Sequence, residues 1–179
     1  VVDWPSAITQ PGPILNISSW SYLGFTACVG LNIVPVSTVY PLAHRILYYP
    51  FRIPIPVLIE KLAWLNGATV SGNVDLGIFD DQGNKITSTG STAQAGASAI
   101  QEVDIANITL DRGLYYLGFQ MDNVTGTLFR QTRTQVIGQL LGLAKEDAGA
   151  FGLPALATFA ALGEATYDVL CFATARVRR

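Results

Sequence analysis

The chain is short of charge, of histidine and of cysteine, and each shortage removes a class of function. Only 13% of its 179 residues are Asp, Glu, Lys or Arg, against about 25% in an average soluble domain. Half are hydrophobic and the mean hydropathy is +0.35. Much of the surface is therefore expected to face other protein, with a larger than usual core as a second source of the deficit. A net charge of -2 and a pI near 5.2 leave no basic footprint, so nucleic acid is not an expected partner. The one basic cluster, Ala175-Arg-Val-Arg-Arg, reads as a solvated or interface-paired tail.

His44 is the sole histidine, which makes a catalytic triad or a His-rich metal site hard to build within one chain. It reads as a structural hydrogen-bonding residue. No Gly-x-Ser-x-Gly, dinucleotide-binding, phosphate-loop or His-Glu-x-x-His pattern occurs. Four glutamates are present, Glu60, Glu102, Glu146 and Glu164. Glu60 and Glu102 sit in or beside expected strands, where a glycosidase-like carboxylate pair can be imagined, but neither lies in a catalytic motif. A non-enzymatic role without a cofactor is expected. The two cysteines, Cys28 and Cys171, exclude a dense disulfide framework and a paired zinc knuckle. Their apolar neighbours suit buried thiols, and sequence leaves open whether they pair.

Two uncharged or apolar stretches fall short of membrane spans. Trp4–Ala43 carries no charge but is broken by Pro5, Pro11, Pro13, Pro35 and Pro41, and 136–162 holds Lys145, Glu146 and Asp147 at its middle. A lipid-facing backbone must satisfy itself, which neither does well. The start, Val-Val-Asp-Trp-Pro, has no basic region followed by an apolar run, so no secretory signal is expected there.

What the chain does have is a succession of short β patterns from Arg45 to Asp122. Pro50, Pro54 and Pro56 restrict residues 46–53 to an edge or bent strand. Residues 57–65, including Trp64, form the next, and Asn66-Gly67 is a turn signal. Val74, Leu76 and Ile78 alternate with Asn73, Asp75 and Gly77, the period of a half-buried strand. Asp81-Gln-Gly-Asn turns the chain. Val103 and Ile105 share a face, Asp111-Arg-Gly marks another turn, and Tyr115, Leu117, Phe119 and Met121 share the next face. Residues 127–132 continue the series, and the nearly all-apolar run from Tyr167 suggests a central strand. The expected fold is all-β: an antiparallel β-sandwich, jelly-roll-like, over residues 45–179.

Two segments lie outside that pattern. Residues 1–44 read as an extended N-terminal arm whose Trp4, Trp20, Tyr22, Phe25 and Tyr40 it cannot bury itself; extra strands of the domain's own sheets are the competing reading. Residues 133–163, rich in Ala, Leu and Gly, read as a long apolar insertion before the last strand, with room for short helical turns and with Leu140, Leu141, Phe151 and Phe159 as assembly contacts.

Three lesser possibilities come from side-chain type. Asp80, Asp81 and Asn84 offer hard oxygens to Ca²⁺, but turn capping explains them more simply. Trp64, Tyr48, Tyr49 and Tyr116 are candidates for stacking on a glycan, but core packing or subunit contact is the favoured reading of each. Asn16, Asn107 and Asn123 begin N-x-[ST] sequons, which recur by chance in β-turns.

The core from Tyr48 to Asp122 resembles a β-sandwich domain of tailed-bacteriophage virion proteins. The likeness rests on Tyr49-Pro-Phe-Arg-Ile-Pro, Trp64-Leu-Asn-Gly-Ala, Ser71-Gly-Asn-Val-Asp-Leu-Gly-Ile-Phe-Asp, Gly90-Ser-Thr-Ala-Gln and Gly113-Leu-Tyr-Tyr-Leu. It covers under half of the chain, and its motifs are turns and strand alternation. The resemblance implies a virion location and partners among other capsid or tail proteins. It also implies homo-oligomers, trimers above all, acting as head decoration or tail appendages. A receptor-recognition module binding a host-surface glycan is the alternative it carries.

Overall fold

The computed structural model describes residues 36–161, 166–169 and 171–177. These form β1 (Val36–Val39), β2 (Arg45–Ile53), β3 (Val57–Leu65), β4 (Asn73–Asp80), β5 (Lys85–Ser88), β6 (Thr92–Ala93), β7 (Ile100–Leu110), β8 (Gly113–Met121), β9 (Thr127–Arg133), α1 (Gln135–Leu140), β10 (Ala144–Asp147), β11 (Ala160–Ala161), β12 (Thr166–Val169) and β13 (Cys171–Val177). The protein is all-β, and every strand pair is antiparallel.

Its frame is a two-stranded ribbon folded across the middle. β2 pairs with β8, and β3 pairs with β7. Pairing passes from Ile53↔Gly113 to Val57↔Leu110, so residues 54–56 stand opposite 111–112. One half of the ribbon belongs to the large sheet, ordered β11-β10-β2-β8-β4-β5 with β6 also on β4; the other half belongs to the sheet β13-β3-β7. Pro54 and Pro56 fall where the ladder is interrupted, so their missing N–H groups cost no sheet bond. The Asp111-Arg-Gly signal is therefore a corner between sheets, with β7 and β8 on different sheets rather than paired across a hairpin. A third sheet, β1-β9-β12, joins the second through an Asn66–Leu128 bridge.

Pro50 has a similar explanation. β10 accompanies β2 only from Arg45 to Tyr48, so β2 is interior along its first half and an edge along its second. Proline falls in the second half, where no donor is needed on that side.

The alternations read from the sequence face one core. Val74, Leu76 and Ile78 of β4 join Leu117, Phe119 and Met121 of β8 and Leu47, Tyr49, Phe51 and Ile53 of β2. Against them lie Val57, Ile59, Leu62 and Trp64 of β3, with Leu128, Val169, Cys171 and Ala173. Full burial of one such large side chain contributes roughly 1.5–3 kcal/mol, which makes this cluster the main source of stability.

Three expectations change. The last strand is not central: β12 and β13 each stand at the end of a sheet, and Val169, Cys171 and Ala173 are apolar because they face the core. β4 is buried on both faces, including Asp75, Gly77 and Phe79, because residues 148–159 lie across its outer side. The segment 133–163 is also more than an insertion loop: beyond the short helical turn α1, it contributes β10 to the large sheet.

The end of the expected arm is likewise built into the fold. β1 pairs with β9 from Val36↔Arg130 to Val39↔Thr127. Tyr40 is buried rather than available for assembly, and its hydroxyl lies 2.9 Å from both the Arg45 and Phe119 carbonyl oxygens, sharing its one proton between them. Burial holds the Tyr40 phenol well above its ordinary pKa, and the Cys171 thiol beside it adds to the rise. Trp4, Trp20, Tyr22, Phe25, Cys28 and Asn16 lie outside the described residues. Among the described residues no helix is long and apolar enough to cross a membrane.

Candidate assembly surface

The aromatic side chains proposed for glycan stacking are mostly inside the protein. Trp64 is fully buried and packs edge-on to Phe119 with centroids 6.5 Å apart. Its indole N–H donates to Asn66 Oδ1 at 2.8 Å. Tyr49 is buried, and its hydroxyl accepts from the Val169 N–H at 3.2 Å. Tyr48 is buried on the outer side of the large sheet, edge-on to both Phe79 and Phe159. These three cannot offer a flat face to a sugar. Tyr116 remains half-buried, with one ring face stacked on Phe159 at 4.3 Å.

The outer side of the large sheet explains that burial. The 148–159 segment is tied down residue by residue. Gly152 N–H donates to Gln120 Oε1 at 2.8 Å, and Gln120 Nε2 donates to the Ala150 and His44 carbonyls at 3.1 and 2.7 Å. Leu153 N–H donates to Asp75 Oδ2 at 3.0 Å, and Lys85 Nζ donates to the Leu153 carbonyl at 2.7 Å. Backbone bonds then run from Lys85 N–H to the Ala155 carbonyl (2.9 Å) and from Ala157 N–H to the Gly83 carbonyl (2.8 Å). Beneath this strap Ile46, Tyr48, Phe79, Ala144 and Leu153 form a second apolar cluster, with Tyr116, Ala157 and Phe159 at its rim. Phe159, expected at a subunit contact, is thus largely committed to its own chain, and Phe151 is half-buried in the strap.

Glu146 sits at the strap's far end. It accepts the Tyr48 hydroxyl at 2.8 Å and the Thr158 N–H at 2.9 Å on one carboxylate oxygen. Burial, followed by the hydrogen bond to and the negative charge of Glu146, pushes the Tyr48 phenol far up.

The exposed apolar surface lies at α1. Gly142, at φ 73°, closes the helix: its N–H donates to the Gln139 carbonyl and the Leu143 N–H to the Gly138 carbonyl, both at 3.0 Å. This is a Schellman cap, in which glycine takes the left-handed position without penalty. The cap turns Leu143 inward and leaves Leu140 and Leu141 outside. Leu140 is 77% exposed and Val136 62%, with Leu141 exposed beside them. Residues 134–143 contain no charged side chain. An open cleft of about 440 Å³ adjoins this turn, lined by Tyr116, Gln139, Gly142, Leu143, Ala144, Phe159, Ala160 and Ala161. Composition pointed to the apolar stretch from residue 136 and singled out Leu140 and Leu141 in it; Val136 was not singled out, because a strand-forming Val beside Ile carries no sign of facing water.

Several polar and charged residues elsewhere serve the local structure. Asp80 Oδ1 accepts from the Gln82 and Asn84 N–H groups, and Oδ2 from Asn84 Nδ2. Its slight burial raises the carboxyl, but the Asn84, Gln82 and Gly83 hydrogen bonds outweigh that and hold it below 3.8. Asn123 Oδ1 likewise caps the Thr125 and Gly126 N–H groups, so its sequon is a turn. Glu102 and Asp104 each lie 3.4 Å from Lys61 Nζ on an open face of β3 and β7. His44 is a left-handed turn residue at φ 64°, its N–H donating to the Met121 carbonyl at 2.8 Å. Among the described residues no three His, Cys, Asp or Glu side chains gather as a metal site.

Compared with protein-family models, with curated proteins and with solved structures, the chain finds no match.

Proposed function

We propose that this chain is a non-enzymatic structural subunit that acts by self-assembly, as a capsid-decorating or tail-appendage protein of a tailed-phage virion, with a trimer as the first expectation. The observation that carries the reading is the uncharged α1 turn. It places Val136, Leu140 and Leu141 in water together in a chain with only 13% charged residues. Covering three such side chains contributes roughly 3–5 kcal/mol per subunit, enough to matter only when repeated around an oligomer. The virion setting rests on the sequence motifs that resemble phage β-sandwich domains. We read the architecture as a jelly-roll-like sandwich, because the folded β2-β3/β7-β8 ribbon brings two sheets around one core.

Native mass spectrometry of the intact chain tests self-assembly. A homo-oligomer is expected, and Leu140→Asp should shift it toward monomer while the far-UV circular dichroism of the β fold stays unchanged. An intact chain that stays monomeric at high micromolar concentration refutes the reading. The virion setting is tested separately by finding the protein at fixed positions in electron-microscopy maps of purified particles.

A further inference from the structure

We infer that the α1 patch and its cleft receive the N-terminal segment, residues 1–35, of a second copy of this chain. The inference rests on the self-assembly reading and names what covers the apolar surface.

The placement comes from strand direction. Val36 pairs with Arg130, and β9 then runs on to Arg133, with Thr134 alone before α1. Since β1 runs antiparallel to β9, its first residue lies toward the α1 end. Residues 1–35 are therefore attached to the body at the end that carries Val136, Leu140 and Leu141. Copies that meet at this end around a ring bring the segment root of one beside the patch of the next.

The chemistry of the two parts matches. From Trp4 to Pro35 the segment has no charged side chain and offers Trp4, Trp20, Tyr22 and Phe25. The patch also lacks charge over residues 134–143. Its cleft, about 440 Å³, falls within the roughly 300–1,000 Å³ of a ligand pocket and has a Tyr116–Phe159 stack in its wall. That suits insertion of a large aromatic side chain, and the uncharged lining favours an uncharged segment over an acidic or basic peptide. Thirty-five residues can reach at most about 115–125 Å, so a neighbour's patch is well within range.

Photocrosslinking in the full-length protein tests this. A copy carrying a benzophenone amino acid at position 140 is co-expressed with a second full-length copy whose N-terminal segment is mass-marked by Ile14→Val. Crosslinked peptides are then identified by mass spectrometry. The expected product joins position 140 to a peptide from residues 1–35 bearing the Val mass. Leu141→Asp on the crosslinker copy should reduce its yield several-fold. Crosslinks only to the unmarked segment of the same chain overturn the inference. So do crosslinks to residues 36–179 of the second copy, which leave self-assembly standing with a body-to-body contact. A protein that is monomeric before irradiation defeats the self-assembly reading itself.

Discussion

Asn66→Ala should be among the most damaging polar substitutions in the described body. Asn66 is fully buried at the end of β3. Its Oδ1 accepts the Trp64 indole N–H at 2.8 Å, and its Nδ2 donates to the Ala95 carbonyl at 2.5 Å and to Gln101 Oε1 at 3.0 Å. Truncation strands the indole N–H inside the core, since Trp64 has no exposure; an orphaned buried donor costs about 1–3 kcal/mol. The Ala95 and Gln101 oxygens lose a donor as well. Ala95 is exposed to water and Gln101 Oε1 still accepts the Ala95 N–H at 2.8 Å, so these losses sit near about 0.5 kcal/mol each. The total is about 3 kcal/mol, a large part of the roughly 5–15 kcal/mol that holds a domain together. In urea, with a slope of about 1–3 kcal/mol/M, the midpoint should fall by about 1–3 M. The assay is equilibrium unfolding followed by far-UV circular dichroism, because the companion variant removes a tryptophan. In a Trp64→Phe background no indole remains to be stranded, so Asn66→Ala should cost about 1–2 kcal/mol less than in the parent. A single-variant loss below about 0.5 kcal/mol, with strictly additive effects in the cycle, would refute the assignment.

Two further outcomes follow from buried groups. Tyr40 and Tyr48 both hold their protons above the ordinary 10.0 of a phenol. The unfolded chain ionises first, so their contribution is complete below pH 10 and is lost as pH rises through the folded values. The melting temperature should therefore drop steeply above pH 10, and Tyr40→Phe should flatten that drop while lowering stability at pH 7 by about 1 kcal/mol; an unchanged alkaline limb would count against the buried hydroxyl. Asp75→Ala removes the acceptor for the Leu153 N–H, so the 148–157 strap should become open to limited proteolysis while the inner core stays resistant. Cleavage at the parent's rate would show that Gln120 and Lys85 hold the strap without it.

The polar groups and turns were legible because they act over a few residues. Asp80 to Asn84 caps itself within one turn, and a turn at that spacing is written in the residue types. The alternation at Val74, Leu76, Ile78 and at Leu117, Phe119, Met121 marked their common face correctly, since side chains of a strand must alternate. The exposed surface was less legible. Leu140 and Leu141, singled out by composition, stand in water, whereas Phe159, of the same apolar character, packs on Tyr48 and Tyr116 of its own chain and lines the cleft with what is left of its surface.

The sequence by itself therefore determined an all-β chain, most of its strands, the core face of the central ones, and an unusual scarcity of charge. Only the tertiary structure decided that Pro54–Pro56 and Asp111-Arg112 are the two sides of one corner, that Trp64, Tyr48 and Tyr49 are interior, and that residues 148–159 seal the outer face of β4. Each of those depends on which strands pair across tens of residues and on what then covers them. Periodicity shows that a side chain faces one side of its strand; the rest of the chain decides whether that side meets water or protein.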